Sequence, residues 1–237
     1  MKGLIALFGA GEYLPVAEPI DRALLDSLNL KDRKPRVVCL PTAAGREGDD
    51  SITRWSSMGL DHYQRLGAQV SALPIIDRAS ADDPKFETAL EEADLIYFSG
   101  GDPTYLYQTM QGSRAWIAAQ KAWARGAIYA GCSAGAMILA QKMPNFRMFG
   151  SGSLSGFGVL PATYVLPHFN AMPAMFKPMV FALQRSLKDG QFVIGVDENT
   201  ALVGKVGGEW QVLGQSKVHV IYKRTEKIYA AGEKVIL

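Results

Sequence analysis

Ser133, His168 and the adjacent pair Asp197-Glu198 are the residues whose types and positions could add up to acyl-transfer chemistry. Ser133 stands in Gly131-Cys132-Ser133-Ala134-Gly135, the G-x-S-x-G pattern of a nucleophile elbow, in which small residues let a strained strand-to-helix turn fit. Such a turn carries its hydroxyl to the carboxyl edge of a sheet. There the N-terminus of the following helix offers free N–H groups and a partial positive charge to an oxyanion. A serine hydroxyl is a weak nucleophile, so it needs a base within hydrogen-bond reach, and the base needs an acid to orient it. His168 ends the apolar run "YVLPHFN" and therefore falls where a strand meets a loop, at the edge where an elbow serine emerges. His62, inside the helix-like "GLDHYQRLG", reads as a solvated or capping side chain, and His219, in the alternating "KVHVIY", as one face of an exposed strand.

The acid is narrowed by what is missing. Between Pro103 and Lys188 there is no Asp or Glu, although Ser133 and His168 both lie in that span, so a carboxylate downstream must come from Asp189 onward. The first candidates at a strand end are Asp197 and Glu198 in "FVIGVDENTAL", and either gives the chain order Ser, His, acid. The α/β-hydrolases run Ser, acid, His, an order met here only by placing His219 on a strand and not on a loop after one. The same span carries Arg114, Lys121, Arg125, Lys142, Arg147, Lys177, Arg185 and Lys188, so a site within it is expected to have a positive potential and to prefer carboxylate-bearing substrates. A second glycine motif, "FSGGDPTYLY", ends a strand in Gly100-Gly101, with Asp102 as N-cap and Pro103 at the first helical position. The N–H groups of Gly101 and Ala134 are the expected oxyanion hole. Asp102, Asn170 and Lys177 are the polar side chains expected to contact substrate.

Positioning these groups needs a sheet with its strand ends on one edge, and the chain has the pattern for it. Its 237 residues, 48% hydrophobic and 20% charged, read as one α/β domain over 1–237 with no dividing linker. Short apolar runs at 3–11, 35–45, 69–76, 94–101 and 127–132 alternate with helical stretches, as in a doubly wound, mostly parallel sheet with helices on both faces. Residues 144 to 166, rich in Gly, Ser, Phe and Pro, read as an ordered excursion near the site. Phe146, Phe149, Phe157 and Tyr164 either shape a pocket there or hold the excursion in place. A helix from about 173 to 188 precedes "QFVIGVDENTALV" and β-rich terminal pieces, expected as antiparallel additions to the sheet.

Several classes are excluded by composition. The net charge of +2 gives no global attraction to nucleic acid or to a membrane surface. The opening "MKGLIALFGAGE" breaks into glycines too soon for a signal peptide's apolar core and reads as a first strand. No window is long enough to span a bilayer. Cys39 and Cys132 lie in apolar strand-like runs, which suits a reducing cytosol, and Cys132 is expected to point into the fold. The three histidines are scattered without ligand spacing, so neither metal nor cofactor is expected.

"FSGGDPTYL", "GCSAGA", "PHF" and "IGVDENTAL", in this order and spacing, together with "LPTAAG" and "RLGAQV" in the amino-terminal half, resemble the serine peptidases of the aspartyl dipeptidase and cyanophycinase family. The resemblance covers nearly the whole chain. It implies a class I glutamine amidotransferase-like (flavodoxin-like) fold and a triad carried by Ser133, His168 and Glu198, with Glu198 and not Asp197 at the acid position. It also places Gly101 and Ala134 at the oxyanion site. Short peptides are the expected partner, with cytoplasmic location and a homodimer as further expectations. Family members acting on aspartyl or β-aspartyl-arginine substrates carry arginines shortly after the histidine. Here the segment reads "HFNAMPAMFKPMVFALQR", where Lys177 is the nearest base and Met172, Met175 and Met179 either pack a helix or line an apolar pocket. Neither strict aspartyl specificity nor cyanophycin cleavage is therefore expected. The alternatives are an amidotransferase-like amidase using a thiol, and a binding or regulatory protein that keeps the elbow without turnover.

Overall fold

Five short apolar strands run parallel because each returns through a helix laid across one face of the sheet. The computed structural model describes residues 2–145 and 153–237. In it β1 (Ile5–Phe8), β2 (Arg36–Leu40), β3 (Gln69–Ala72), β4 (Leu95–Phe98) and β5 (Ile128–Cys132) lie in the order β1-β5-β4-β2-β3. Alternation along each strand sorts side chains between two cores. Ala6, Phe8, Leu95 and Tyr97 pack with Ile20 and Leu24 of α1 (Glu18–Ser27) and Tyr63 of α2 (Asp49–Arg65). Ile5, Leu7, Ile96 and Phe98 face α3 (Arg78–Ala81), α4 (Glu87–Glu91), α5 (Pro103–Met110) and α6 (Arg114–Arg125) through Ala81, Leu90, Leu106 and Trp116. Both faces are covered over β1, β2, β4 and β5, which is why these strands lack the polar alternation that the edge strand β3 keeps. The stretch before β5 is two helices because Gly112 takes φ +67° and Ser113 caps α6, its Oγ accepting from Trp116 N at 3.1 Å.

The carboxyl-terminal third departs from the expected extension of one sheet. The apolar run from Phe192 onward is broken into β9 (Phe192–Val196) and β10 (Thr200–Gly204), which belong to different sheets. Asn199, at φ +56°, makes the turn, a backbone region that Asn tolerates better than most residues. β10, β11 (Glu209–Gly214) and β14 (Lys234–Ile236) add antiparallel beyond β1, completing an eight-stranded sheet. β9 instead pairs in parallel with β8 (Tyr164–Leu166) and antiparallel with β12 (Lys217–Tyr222), which is edged by β13 (Glu226–Ala230). The excursion carries α7 (Ala134–Met137) into a small hairpin of β6 (Lys142–Pro144) and β7 (Ser153–Ser155).

Of the remaining side chains, some meet an expectation and others depart from it. Phe157 anchors the excursion by stacking on Trp116, with ring centroids 3.9 Å apart, and Tyr164 is buried within β8, whereas Phe146 and Phe149 lie outside the described residues. The late helix is a 3₁₀ turn, Ala174–Phe176, followed by α8 (Lys177–Ser186); Met175 is exposed, so it does not pack. His62 is buried, not solvated: its Nε2 lies 2.9 Å from Asp21 Oδ2, and the Tyr63 hydroxyl donates to Asp21 Oδ1 at 2.9 Å. Burial holds the Asp21 carboxyl above its ordinary pKa against the opposing pull of His62. His219 is mostly buried, its Nδ1 2.7 Å from Glu226 Oε1 and its Nε2 3.5 Å from Asp197 Oδ1, because β12 faces the turn after β9 and not open solvent. Among the described residues no helix is long and apolar enough to cross a membrane, and no group of three or more His, Cys, Asp or Glu is gathered as for a metal ion.

Gly9, the first residue after β1, meets the turn between β9 and β10 so closely that a Cβ there would stand 2.1 Å from Asp197 O. Gly9→Ala is expected to cost about 1–3 kcal/mol as an overpacked contact. That should lower Tm by about 2–4 °C per kcal/mol in a chain of this size. An unchanged melting curve would contradict this packing.

Candidate active site

The carboxyl ends of β1, β4 and β5 open on one edge of the parallel sheet, where ligands of such sheets bind. Ser133 follows β5 directly and takes φ +49°, ψ −106°, a conformation that costs on the order of 1–3 kcal/mol and persists only where its surroundings over-determine it. They do so here. Ser133 N–H donates to Phe8 O at 3.1 Å, and the flanking glycines allow no side chain, since a Cβ would lie 2.5 Å from Gly135 C at Gly131 and 2.4 Å from Phe98 O at Gly135. The elbow glycines are thus needed for close approach of strand and helix.

His168 follows β8, also at positive φ (+51°), with its N–H donating to Gly9 O at 3.2 Å. Its ring spans serine and acid: Nε2 lies 3.3 Å from Ser133 Oγ, and Nδ1 lies 2.8 Å from Glu198 Oε1. With Nδ1–H donating to the carboxylate, Nε2 is the acceptor facing the hydroxyl. The longer 3.3 Å contact is in the range that tightens once substrate is bound. Phe169, next along, donates its N–H to Val196 O at 3.1 Å and lays its ring over Gly195, where a Cβ would stand 2.7 Å from the ring, and against His219 at 4.6 Å. That packing fixes the turn carrying His168.

The acid pair left open by the sequence is separated by the break in the strand. Glu198 turns toward His168 and its N–H donates to Asn170 Oδ1 at 2.9 Å. Asp197 turns inward, is buried, and accepts from Ser216 Oγ at 2.6 Å and Lys217 N at 3.2 Å. The half-exposed His168 and Glu198 border a cavity of about 370 Å³ together with Ser133 and Gly101. Its remaining walls are apolar, formed by Met137, Leu166, Ala171, Met172 and Phe176 with three prolines. Gly101, at φ +141°, lies against Ala43, and Ala134 is buried at the start of α7.

The three residues expected to contact substrate adjoin residues that line the cavity without lining it themselves. Asp102 caps α5, its Oδ1 accepting from Thr104 N at 2.8 Å and Tyr105 N at 3.1 Å, and Asn170 holds the Glu198 backbone. Lys177 is exposed at the start of α8, outside the residues lining the cavity. The cations of the acid-free span are partly neutralised from outside it, Arg114 by Glu87 and Lys121 by Glu91. Sequence reasoning missed Glu12, buried beneath the elbow, although a charged residue closing the glycine turn after an apolar strand was a usable signal. Its Oε1 accepts from Gly100 N at 3.0 Å and its Oε2 from the Cys132 thiol at 2.9 Å. Burial pushes the Cys132 thiol well above its ordinary range and the Cys39 thiol up to about 12, so both stay protonated and unreactive.

Comparison with known proteins places this geometry in context. The model of peptidase family S51 matches residues 5–209. An uncharacterized peptidase of Bacillus subtilis, YgaJ, is 30% identical over 173 residues, covering 72% of this chain and 70% of its own. A cyanophycinase of Synechococcus elongatus is 26% identical over 175 residues, 69% of this chain and 53% of its own; the chain spans about half the length of the cyanophycinases it matches. Among solved structures, a peptidase from an acI-B1 actinobacterium superposes with a TM-score of 0.89 at 38% identity, covering 100% of this chain and 98% of the other. A structure titled as a putative peptidase E protein from Listeria monocytogenes superposes at 0.60 with 18% identity, covering 98% and 100%, a likeness of fold.

Two outcomes follow from the geometry. Glu198→Gln is expected to lower kcat by up to about 10⁴-fold, the scale of losing the acid that orients a catalytic histidine, with little change in Tm. Asp197→Asn should do the reverse, and a larger kcat loss in Asp197→Asn would exchange their roles. Iodoacetamide should leave both cysteines unmodified in the native protein at pH 8 and alkylate them only after unfolding, by intact mass; rapid native labelling of Cys132 would contradict its assignment as a buried thiol.

Proposed function

We propose that this chain, which belongs to peptidase family S51, is a serine peptidase that hydrolyses short peptides through Ser133, His168 and Glu198. The observation that carries this reading is the continuous relay from Glu198 Oε1 through both nitrogens of His168 to Ser133 Oγ, at 2.8 and 3.3 Å. In the first step Ser133 Oγ attacks the scissile carbonyl carbon while its proton passes to His168 Nε2, and Glu198 stabilises the imidazolium that results. The carbonyl oxygen, now an oxyanion, is received by the N–H groups of Gly101 and Ala134, beside the N-terminus of α7. Collapse breaks the C–N bond as His168 returns the proton to the leaving amine. Water, deprotonated by the same nitrogen, then attacks the acyl-enzyme, and Ser133 recovers its proton as the carboxylate product leaves.

Short peptides suit the site because the cavity, about 370 Å³, admits roughly one or two side chains next to the nucleophile. Its methionine, leucine and phenylalanine walls supply contact to an apolar side chain, and the Met172 thioether adapts to irregular shapes. A carboxylate side chain would have to leave water without a cationic partner among the described lining residues, which costs more than apolar burial recovers.

Hydrolysis of a dipeptide and tripeptide panel with acidic, basic and apolar first residues checks both parts. Apolar members are expected to dominate kcat/KM, with Ser133→Ala slower by about 10⁴-fold or more. Preference for Asp-Xaa dipeptides would overturn the specificity reading and leave the triad standing. Full activity in Ser133→Ala would overturn the triad.

A further inference from the structure

The triad mechanism uses no residue of the turn after β1, yet that turn holds a buried acidic side chain. Glu12 is 8% exposed, and both its oxygens are engaged by groups on other strand ends. Oε1 accepts from Gly100 N–H at 3.0 Å, in the turn after β4, and Oε2 accepts from the Cys132 thiol at 2.9 Å, one residue before Ser133. A carboxylate is expensive to bury, and hydrogen bonds to it offset that expense only where they are well placed. The thiol donates because burial keeps it protonated. A Cβ on Gly100 would lie 2.8 Å from Glu12 Oε1 and 3.4 Å from Ser133 Cβ, so this carboxylate fills the space directly between the glycine turn and the elbow.

Those are the two segments whose N–H groups receive the oxyanion in the proposed function, on which this inference rests. Gly101 belongs to the turn after β4 and Ala134 to the turn after β5. β4 and β5 pair only as far as Phe98 and Gly131, so the register ends before either oxyanion donor is reached. Past that point the separation of the two donors must be set by something other than the sheet. On one side Gly101 rests against Ala43, with Asp102 N donating to Ala43 O at 2.9 Å. On the other, Ser133 N donates to Phe8 O. Glu12 is the side chain that grips both.

We infer that Glu12 is a positioning residue for the oxyanion hole: its carboxylate clamps the Gly100–Gly101 turn to the Cys132–Ser133 elbow and so sets the distance between the Gly101 and Ala134 N–H groups. The link needs an acceptor of glutamate length at Oε1 more than it needs charge. Glutamine keeps that acceptor toward Gly100, alanine removes it, and aspartate keeps the charge but is one methylene too short to reach both partners.

The test is the rate at which a fluorophosphonate labels Ser133. In that reaction Ser133 Oγ forms a bond to phosphorus, fluoride leaves, the hydroxyl proton passes to His168, and the phosphonyl oxygen takes the oxyanion position. Measured on the full chain at a temperature where circular dichroism shows each variant folded, Glu12→Ala should label about 10²–10³-fold more slowly, the scale of losing one oxyanion donor. Glu12→Gln should recover most of the parent rate. With peptide substrate the loss should fall on kcat and not on KM. A residue that only stabilised the fold would lower Tm and leave these rates alone. Glu12→Asp repeats the test should Glu12→Ala not fold, with an expected loss of about tenfold or more for a misplaced donor. Parent rates in folded Glu12→Ala or Glu12→Asp, or a Glu12→Gln as slow as Glu12→Ala, overturn the inference. Ser133→Ala separates the two readings. If the parent is labelled at Ser133 and Glu12→Ala equally so, only the positioning role fails; if the parent is not labelled, or Ser133→Ala is labelled as well, the triad fails and takes this inference with it.

Discussion

The site depends on the hydrogen bonds collected by the end of β1, from Phe8 to Glu12. Phe8 O accepts from Ser133 N, Gly9 O from His168 N, Ala10 O from Asn199 N, and the Glu12 carboxylate from Gly100 N and Cys132. Ser133, His168, the turn of Glu198 and the glycine turn are therefore all referred to one short piece of backbone. These residues are far apart in the sequence and belong to two sheets, so no local element could place them to within a hydrogen bond of one another. Gly9 is a glycine because Asp197 O occupies the place of its Cβ, and that closeness lets the second sheet's strand end approach the first. Buried backbone groups at a strand end must find partners, and here the partners are the groups proposed to carry the chemistry.

Strain is concentrated at the same place. Ser133, His168 and Asn199 are non-glycine residues at positive φ, and each is either in the relay or next to it. Such conformations survive when tertiary contacts outweigh them, and functional sites are where they gather. His168 and Glu198 are half exposed beside the cavity, while both thiols are buried and held protonated. Cys132 faces Glu12 inside the fold and Ser133 faces the cavity, so of these two neighbours it is the serine that a ligand in the cavity would meet.

Much of this was legible in the sequence, for reasons that are themselves physical. Doubly covered strands must be apolar throughout, so β1, β2, β4 and β5 stand out as short unbroken runs, and helix punctuation by Asp102-Pro103 and Ser113 follows from capping chemistry. The tight strand-to-helix turn at Ser133 is a local motif and can be read locally. What escaped was non-local. The run from Phe192 to Val203 shows no sign that it serves two sheets, since the break is made by Asn199 and by partners on β1 and β12. His62 reads as solvated because the opposing charge, Asp21, comes from another helix. Lys177, next to the histidine segment in sequence, opens α8 as an exposed residue beside Phe176 of the cavity wall, and its relation to the cavity is set by a turn that the sequence does not spell out. Glu12 went unread because its partners are two other strand ends.

Whether Ser133 attacks while the N–H groups of Gly101 and Ala134 hold the oxyanion is visible in a crystal structure of the fluorophosphonate adduct. The expected adduct has a bond from phosphorus to Ser133 Oγ, His168 Nε2 within hydrogen-bond reach of that oxygen, and the phosphonyl oxygen about 2.7–3.1 Å from both N–H groups. An adduct on another residue, or a phosphonyl oxygen turned away from Gly101 and Ala134, would contradict it.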